Sequence, residues 1–549
     1  MRHDEFRLID EVLAGRMSRR DLIKRLMAAG VSLSAMTALL RASGVGGEAE
    51  AASMVEARSV HAKRGGSLNF ATVVPATDVD PVTMFNEGAI FTAEVPGEYL
   101  AYPRPDYSLA PKLAISWHAT RPDVWTFNLR QGVKWHDGKP FTADDVVATF
   151  DRLTDPHVNS AALSAYKGIL SKGHTRKNNA HQVTFHLDRP YVDFPYLVSA
   201  FTYNAIILPK NYKIGTFTRG GIGTGPYILT KYTPKVSAQF VRNPHYWNKS
   251  QAYLDSAVMK YYADNSAIVL ALESGAADVF LDMPYQGSQA LFANSSIRVL
   301  KNPSSAYREF HMRVDQKPFS DKRVRQAVAL SLNRPELIQG LWHGLGQVGN
   351  DHPFAPIYPT SAKAMAGLPQ RKNDYAAAKK LLAQAGYPHG FTATLTTENF
   401  LEIPQYAVFI KQQLAPAGIN VNLHVEDQTT YYGAGSNQPW LQVPMGIVDW
   451  APRGAASQTI APAYLCNAIW NTPHWCNSRF NSLISQYDRE LNKARRQQIA
   501  LEAATVIHDE VPAVIAYWIE ELRATRSNVG GLAKGPASLF DPAPVYRSA

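Results

Sequence analysis

Residues 116–153 read SWHATRPDVWTFNLRQGVKWHDGKPFTADDVVATFDRL and combine a strand, a turn and a helix in close succession. The strand is predicted from Trp125, Phe127 and Leu129, which alternate with polar residues in the period of two that a half-buried strand shows. The Asp-Gly pair at residues 137–138 then favours a tight turn, because glycine adopts positive φ at no steric cost. The first half of the stretch is therefore predicted to be a strand that leads into a turn.

The second half of the stretch is predicted to be a helix that begins at a capping box. Thr142 is followed three residues later by Asp145, a spacing at which each side chain accepts a hydrogen bond from the other residue's backbone amide. Apolar residues then recur at helical spacing on one face, namely Val146, Val147, Phe150 and Leu153. Neither element contains a chemical motif, so the whole stretch indicates a scaffold rather than a reactive site.

The length and composition describe a folded protein of several domains. A chain of 549 residues exceeds what one hydrophobic core supports, and 46% hydrophobic residues exclude a disordered chain. The formal charge is +10, from 56 Lys and Arg against 46 Asp and Glu, but the basic residues are scattered singly or in pairs. Because nucleic-acid binding concentrates basic residues in a patch or stripe, we expect no nucleic-acid partner.

The N-terminus is predicted to be an export signal. Residues 18–24 (SRRDLIK) resemble the twin-arginine motif, although Leu22 stands where Phe is commoner. The apolar run at 26–40 is shorter than the ~20 residues that span a bilayer, and residues 49–51 (AEA) form a small-residue cleavage site. We therefore assign residues 1–51 to a twin-arginine signal peptide and expect a periplasmic protein without a lipid anchor. The alternative is an amphipathic cytoplasmic helix.

Cys466 and Cys476 are the two cysteines of the chain, and both lie in the part predicted to be exported. An oxidising compartment and a spacing of ten residues favour a disulfide between them. The alternatives are a metal site that includes His474 or two free thiols. Two thiols and one histidine fall short of a tetrahedral ligand set, so we expect the disulfide and no metal.

Several segments resemble the family 5 solute-binding proteins, which are the oligopeptide, dipeptide and nickel receptors of ABC importers. The resemblance rests on 116–153 together with four further segments: PKLAISW at 111–117, GTGPY at 223–227, VRNPHYW at 241–247, and FSDKRVRQAVALSLNRPELIQGLWHGLG at 319–346. It implies an α/β, two-lobed periplasmic binding protein fold (class II-like, cluster C) with a hinge and an extra inserted domain.

The resemblance also implies a division of the chain. Lobe I is expected to combine residues 67–97, 225–305 and 510–549, the inserted domain to hold 98–224, and lobe II to hold 306–509. From the residue patterns alone, Ser320 is predicted to cap a helix, and the chain from 478 to 510 is predicted to be mostly helical. Residues 513–549 are expected to form short strands and loops.

No catalytic motif is present in the sequence. G-x-S-x-G, H-E-x-x-H, the P-loop and the dinucleotide fingerprint are all absent. Single histidines such as His136, His311 and His424 are more typical of structural or exposed positions than of ligands. We therefore expect neither an enzyme nor a cofactor, and a secreted hydrolase with a convergent site is the alternative from another class.

The candidate ligand-binding residues are Asp449, Trp450 and Arg453, which follow a predicted buried strand at 443–448. Ligands of α/β units gather at strand carboxyl ends. Arginine offers paired donors to a carboxylate, and tryptophan offers a flat apolar wall. In peptide-binding members of the resembled family, a W-x-x-D motif supplies the Asp that holds the peptide ammonium, whereas W-x-x-R places Arg453 there. This departure favours a ligand with an anionic or carboxylate group, although an exposed loop salt bridge would also account for Arg453.

Two further candidates, Asn86 and Glu87, follow an Asp-Pro pair at 80–81 that in the resembled family passes close to the ligand cleft. The resemblance implies a monomeric receptor that encloses a peptide or related small solute between its lobes. It would deliver that solute to an ABC permease and its ATPases in the inner membrane. The alternative within the fold is a nickel-chelate or haem receptor.

Overall fold

The computed structural model describes residues 62, 64–220, 222–433, 438–536 and 539–548, so the predicted signal peptide lies outside the described residues. Within these ranges the chain forms one eleven-stranded sheet, one four-stranded sheet and two two-stranded sheets. Helices pack against the sheets, which makes the architecture α/β. No helix in the described ranges is long and apolar enough to span a bilayer.

The strands are numbered in chain order. They are β1 Ser67–Val73, β2 Ala101–Pro103, β3 Leu109–Pro111, β4 Ala114–Arg121, β5 Val124–Leu129, β6 Thr175–Asn179, β7 Gln182–His186, β8 Tyr227–Thr233, β9 Ser237–Arg242, β10 Ser256–Tyr262, β11 Val279–Met283, β12 Ile297–Met312, β13 Gly346–Val348, β14 Phe391–Glu398, β15 Ile419–Glu426, β16 Met445–Trp450, β17 Ala513–Arg526, β18 Val529–Gly530 and β19 Tyr546–Arg547.

The helices are numbered in the same way. They are α1 Glu87–Glu94, α2 Ala143–Leu153, α3 Leu163–Tyr166, α4 Phe194–Leu197, α5 Asn265–Ser274, α6 Gln289–Ala293, α7 Lys322–Leu330, α8 Arg334–Trp342, α9 Ala362–Met365, α10 Tyr375–Gln384, α11 Ile403–Leu414, α12 Gln428–Tyr432, α13 Pro439–Gln442, α14 Ser457–Ala463, α15 Ser478–Tyr487 and α16 Lys493–Glu510. Short 3-10 turns occupy Tyr203–Ala205, Phe217–Arg219 and Ala415–Ala417.

Two long central strands, β12 and β17, join the halves of the large sheet. The strand order is β15-β14-β16-β12-β17-β11-β1-β10-β9-β8, with β13 pairing to β17 off this path. β12 pairs with β16 through its second half, whereas β17 pairs with β11 through its second half. The expectation of short strands after residue 513 is wrong, because β17 is 14 residues long and mostly buried. Strands covered on both faces read as continuous apolar runs, so the sequence lacks the alternation that marks a half-buried strand.

The ladder between β12 and β17 is irregular around Tyr307, and we call residues 304–306, which precede Tyr307, the hinge segment. Regular pairing runs from Ile297 to Pro303, and the register shifts on either side of Tyr307. Inside the hinge segment, the Ser304 hydroxyl donates to the carbonyl of Ile519 at 2.8 Å. A side-chain bond therefore replaces the regular ladder where the two halves of the sheet meet.

The stretch at 116–153 forms the scaffold of the four-stranded sheet β4-β5-β7-β6, with α2 packed beside it. The predicted strand is β5, in which Phe127 and Leu129 are buried. The predicted capping box is confirmed, since the Thr142 amide donates to the Asp145 carboxylate at 2.8 Å and the reciprocal bond is also present. Local pattern alone was sufficient to predict these elements.

The segment that follows this small sheet packs directly on the second half of the chain. Arg189 pairs with Asp488 at 2.6 Å, and the Ser457 hydroxyl donates to Asp193 at 2.7 Å. Tyr191 shares a 2.9 Å hydrogen bond with the same serine. One continuous apolar core therefore contains residues from both segments.

Two smaller predictions have opposite outcomes. The predicted disulfide between Cys466 and Cys476 is confirmed. The prediction that Ser320 caps a helix is wrong by one position, because Asp321 caps α7 and its carboxylate accepts from the Arg323 amide at 2.9 Å. A carboxylate at a helix N-terminus also interacts favourably with the helix dipole, which explains why Asp takes this position.

Candidate functional site

The first wall of the candidate site lies at the carboxyl ends of β1 and β11. β1 lies between β10 and β11 in the sheet and runs parallel to both. Of these two later strands of the chain, β10 pairs with one edge of β1 and β11 pairs with the other edge. Strand order reverses there, and such switch points are where open α/β sheets bind ligands. Helix α1 begins at this edge with Glu87, and Asp282 lies near the end of β11.

Asn86 is the N-cap of α1. Its Oδ1 accepts from the Ala89 amide at 3.3 Å, and its Nδ2 donates to the Val74 carbonyl at 3.4 Å. Both ends of the amide therefore hold the start of the helix against the end of β1. A ligand contact by Asn86 remains a prediction.

Three carboxylates, Glu87, Asp282 and Glu521, form what we call the acidic wall. The charge of Asp282 is the main cause that raises the pKa of Glu87 to about 9, and desolvation by the neighbouring residues and the charge of Glu521 add to it. Burial raises the pKa of Asp282, and the positive charge of Arg523 opposes that rise. The wall therefore tends to retain a proton, and a ligand ammonium could take the place of that proton.

The second wall is the loop at residues 451–456, which we call the Arg453 loop. It follows the carboxyl end of β16, and its backbone is fixed to the hinge segment by Ser305. The Ser305 hydroxyl accepts from the Arg453 amide at 2.8 Å and donates to the Arg453 carbonyl at 2.8 Å. The Ser305 amide in turn donates to the Tyr107 hydroxyl at 3.3 Å.

Arg453 is half-buried, and its positive charge acts on three tyrosines. Burial raises the pKa of Tyr203, Tyr307 and Tyr358, and the positive charge of Arg453 opposes that rise in each. Among the residues that the structure describes, the guanidinium forms no ion pair, and its one hydrogen bond goes to the Pro452 carbonyl at 3.5 Å. The alternative account of Arg453, an exposed loop salt bridge, is therefore not found in the described part of the chain, and the guanidinium is available to an anion.

Trp450 is almost fully buried, with 5% of its surface exposed. Its ring stacks on Tyr307 at a centroid distance of 6.2 Å and packs against Trp470 at 5.9 Å. Its indole N–H donates to Glu309 at 3.0 Å. Little of the expected flat wall is open to a ligand, and direct contact by Trp450 remains a prediction.

Asp449 points away from Trp450, as successive strand residues do. Its carboxylate lies within hydrogen-bonding distance of the Tyr432 hydroxyl, which is also 2.8 Å from Glu398, and the single phenol proton is shared between the two acceptors. Burial is the main cause that raises the pKa of Glu398 to about 7, and the charge of Asp449 adds to it. Asp449 thus belongs to a separate carboxylate pair at the ends of β14 and β16, and its role toward a ligand remains a prediction.

The hinge segment links the two walls. Glu521 lies opposite Asn302 in the ladder. Asn302 precedes Ser305 by three residues, which corresponds to about 10 Å along a strand. The charge of Glu521 acts on Glu87 and also on Tyr107, which bonds Ser305. The acidic wall and the Arg453 loop therefore converge on the same part of the central strands.

Sequence reasoning missed Ser305, Asp282 and Glu521, because no local motif marks them. One signal was available, since Pro303 followed by two serines interrupts the strand that became β12. No group of three or more His, Cys, Asp or Glu side chains is arranged to hold a metal within the described ranges.

A model of the bacterial extracellular solute-binding proteins, family 5 middle, matches residues 108–471. The chain belongs to this family. The glutathione-binding protein GsiB of Escherichia coli (strain K12) is 28% identical to this solute-binding protein over 402 residues, covering 71% of this chain and 76% of GsiB.

Solved structures of a periplasmic binding protein and of an oligopeptide-binding protein share the fold. DppA from Helicobacter pylori in complex with the peptide STSA matches with a TM-score of 0.70 and 24% identity, over 89% of this chain and 99% of that one. AppA from Bacillus subtilis in complex with a nonapeptide matches with a TM-score of 0.69 and 19% identity, over 89% and 100%. These likenesses confirm the predicted two-lobed periplasmic binding protein fold.

Proposed function

We propose that this solute-binding protein is the periplasmic receptor of an ABC importer and captures a peptide or a related small solute between its lobes. Membership of a solute-binding family supports this function, and so does the relation to a glutathione-binding protein and to peptide receptors. The receptor binds and closes without catalysing a reaction, and the closed form is presented to the permease and its ATPases.

The ligand carries a free carboxylate, and the observation that carries this proposal is the guanidinium of Arg453. It is half-buried beside the hinge segment without an ion pair among the described residues. A desolvated arginine that lacks a carboxylate partner forms strong, paired hydrogen bonds with an incoming carboxylate.

The same ligand carries an ammonium group, which the acidic wall receives. Glu87 and Asp282 repel each other when both are charged, and a ligand cation relieves that repulsion. Asn86 supports this wall through its cap on α1. A peptide or amino-acid derivative with opposite charges at its two ends therefore fits the two walls.

The proposed domain division is the one expected from the family resemblance. Lobe I combines 67–97, 225–305 and 510–549, the inserted domain holds 98–224, and lobe II holds 306–509. Closure would bend β12 and β17 at the hinge segment, where regular pairing is already interrupted. We further propose that the receptor is a monomer and that residues 1–51 direct its export by the twin-arginine pathway.

Isothermal titration calorimetry on the mature protein tests this proposal with three forms of one peptide series: free, C-terminally amidated and N-acetylated. We expect the free peptide to bind and amidation to weaken binding by about 10- to 100-fold, as for loss of charged hydrogen bonds of about 1.5–3 kcal/mol. Arg453→Ala should lower the affinity for the free peptide to the affinity measured for the amidated peptide. Arg495→Ala, at an exposed position on α16, serves as the matched control. Equal affinity for free and amidated peptides, or steady hydrolysis of them, would contradict the proposal.

A further inference from the structure

Glu309 is a fully buried carboxylate on β12 that three hydrogen bonds hold in place. One oxygen accepts from the Thr472 hydroxyl at 2.5 Å, and the other accepts from Tyr464 at 2.5 Å and from Trp450 Nε1 at 3.0 Å. Burial raises the pKa of Glu309, and these three donors oppose that rise. Burial of a carboxylate is unfavourable unless such bonds offset it, so the group depends on all three donors.

The three donors belong to three different segments. Trp450 ends β16 and leads into the Arg453 loop, Tyr464 follows α14, and Thr472 lies within the disulfide loop, residues 466–476. The single carboxylate therefore ties these segments to one central strand.

The disulfide loop is itself held against the same strand. The Val314 amide, just beyond β12, donates to the Pro473 carbonyl at 2.9 Å. Inside the loop, Asn471 Nδ2 donates to the Trp475 carbonyl at 2.7 Å, and the ring of Trp470 packs on Trp450 at 5.9 Å. The loop thus supports Trp450 both through Thr472 and through a ring contact.

The segment from Trp450 to Arg453 is consequently fixed to β12 at both ends. Ser305 bonds the backbone of Arg453, and Glu309 bonds the side chain of Trp450. Only two residues, Ala451 and Pro452, separate Trp450 from Arg453, so a change in the position of the indole displaces the start of the Arg453 loop.

We propose that Glu309 is a positioning residue for ligand binding, which orients the Arg453 loop by holding Trp450 with the support of the disulfide loop. This inference rests on the proposed function, because it concerns how Arg453 recognises the ligand carboxylate. Glu309 touches no ligand and acts through Trp450.

The test measures carboxylate preference, defined as the ratio of affinities for free and C-terminally amidated peptide, by calorimetry. Glu309→Ala leaves three donors without an acceptor, and we expect the preference to fall about tenfold, as for one misplaced charged interaction. Glu309→Gln keeps an acceptor for Trp450 and Tyr464 and can donate to Thr472, so it should stay within about threefold of the wild type.

A destabilised control variant distinguishes a positioning role of Glu309 from a general loss of stability. Ile410→Ala removes a buried side chain of α11 that belongs to a different hydrophobic cluster from Trp450 and Tyr464, and it should leave the carboxylate preference unchanged. If Glu309→Ala does not fold, Thr472→Val carries the test, because it removes one donor at nearly constant shape and should lower the preference about threefold. The double variant Cys466→Ser/Cys476→Ser should lower it by a similar factor.

The outcomes distinguish this inference from the proposed function. If the wild type shows no carboxylate preference, the proposed function fails. If the wild type shows it and Arg453→Ala abolishes it, the inference still fails when Glu309→Ala, or Thr472→Val in its place, matches the wild type or the Ile410→Ala control. A further loss of affinity for the free peptide when Glu309→Ala is added to Arg453→Ala would also overturn it, because the two changes should not add if one acts through the other.

Discussion

The two walls of the site are built alike but carry opposite charges. Each lies at the carboxyl end of strands in one half of the large sheet, and each is connected to the hinge segment. The acidic wall groups three carboxylates around Glu87, whereas the Arg453 loop presents one guanidinium without an ion pair among the described residues. The same scaffold thus places carboxylates of raised pKa on one side and an arginine guanidinium on the other.

This difference indicates which end of the ligand governs affinity. The carboxylate end of the proposed ligand should bind Arg453 with little dependence on pH, because arginine side chains do not lose their proton in proteins. The acidic wall must release a proton before it receives an ammonium, because the pKa of Glu87 is raised. The ammonium end should therefore contribute less and should depend on pH.

Reversal of the charge at Arg453 should have the largest effect on ligand affinity. Arg453→Glu places a like charge against the ligand carboxylate, and we expect affinity for a free peptide to fall by about 100-fold or more, since both the charged hydrogen bonds and the attraction are lost. Amidation of the peptide should recover part of the loss. Calorimetry measures both effects, with Arg495→Glu on exposed α16 as the control. An unchanged affinity would remove Arg453 from the site.

A change on the acidic side should have a smaller effect that depends on pH. Glu87→Gln should lower the affinity for a peptide with a free ammonium by about tenfold and should leave the affinity for its N-acetylated form unchanged. The pKa of Glu87 is raised to about 9, so the wild type must release a proton when the ammonium binds, and affinity should increase from about pH 6 to pH 8 as that release becomes less costly. Calorimetric titrations in buffers of different ionisation enthalpy should detect proton release on peptide binding to the wild type. The variant should release less.

Glu273→Gln, at an exposed position on α5 in the same half of the sheet, is the matched control for this measurement. Equal proton release by the wild type and Glu87→Gln would show that the ligand ammonium binds elsewhere. The acidic wall would then have no role in binding the ligand ammonium.

The parts of the fold that could be predicted are those encoded locally. The stretch at 116–153 revealed β5 and the capped α2, because alternation and cap spacing act within a few residues. The disulfide was also predictable, since only two cysteines had to be paired.

The site was predictable only in part. Arg453 was singled out by its place in a W-x-x-R segment, but its bond to Ser305 joins residues 148 positions apart along the chain. The burial of Trp450 depends on Glu309 and Trp470, which lie in other segments and carry no local signal. Residues brought together by β12 and β17 could not be recognised before the strand order was known.

The smallest effect is expected at the carboxylate pair of Glu398 and Asp449, which tests whether the ammonium site lies on the acidic wall. Burial and Asp449 raise the pKa of Glu398 to about 7, so its contribution to stability is complete below about pH 4.5 and is lost as pH rises through 7. Glu398→Gln should remove part of this pH dependence of the melting temperature, whereas Glu502→Gln, at an exposed position on α16, should not. Ligand affinity should stay unchanged in both variants. If Glu398→Gln instead weakens peptides with a free ammonium as much as Glu87→Gln does, the cation is received beside Asp449, and the charges of the two walls would have to be reassigned.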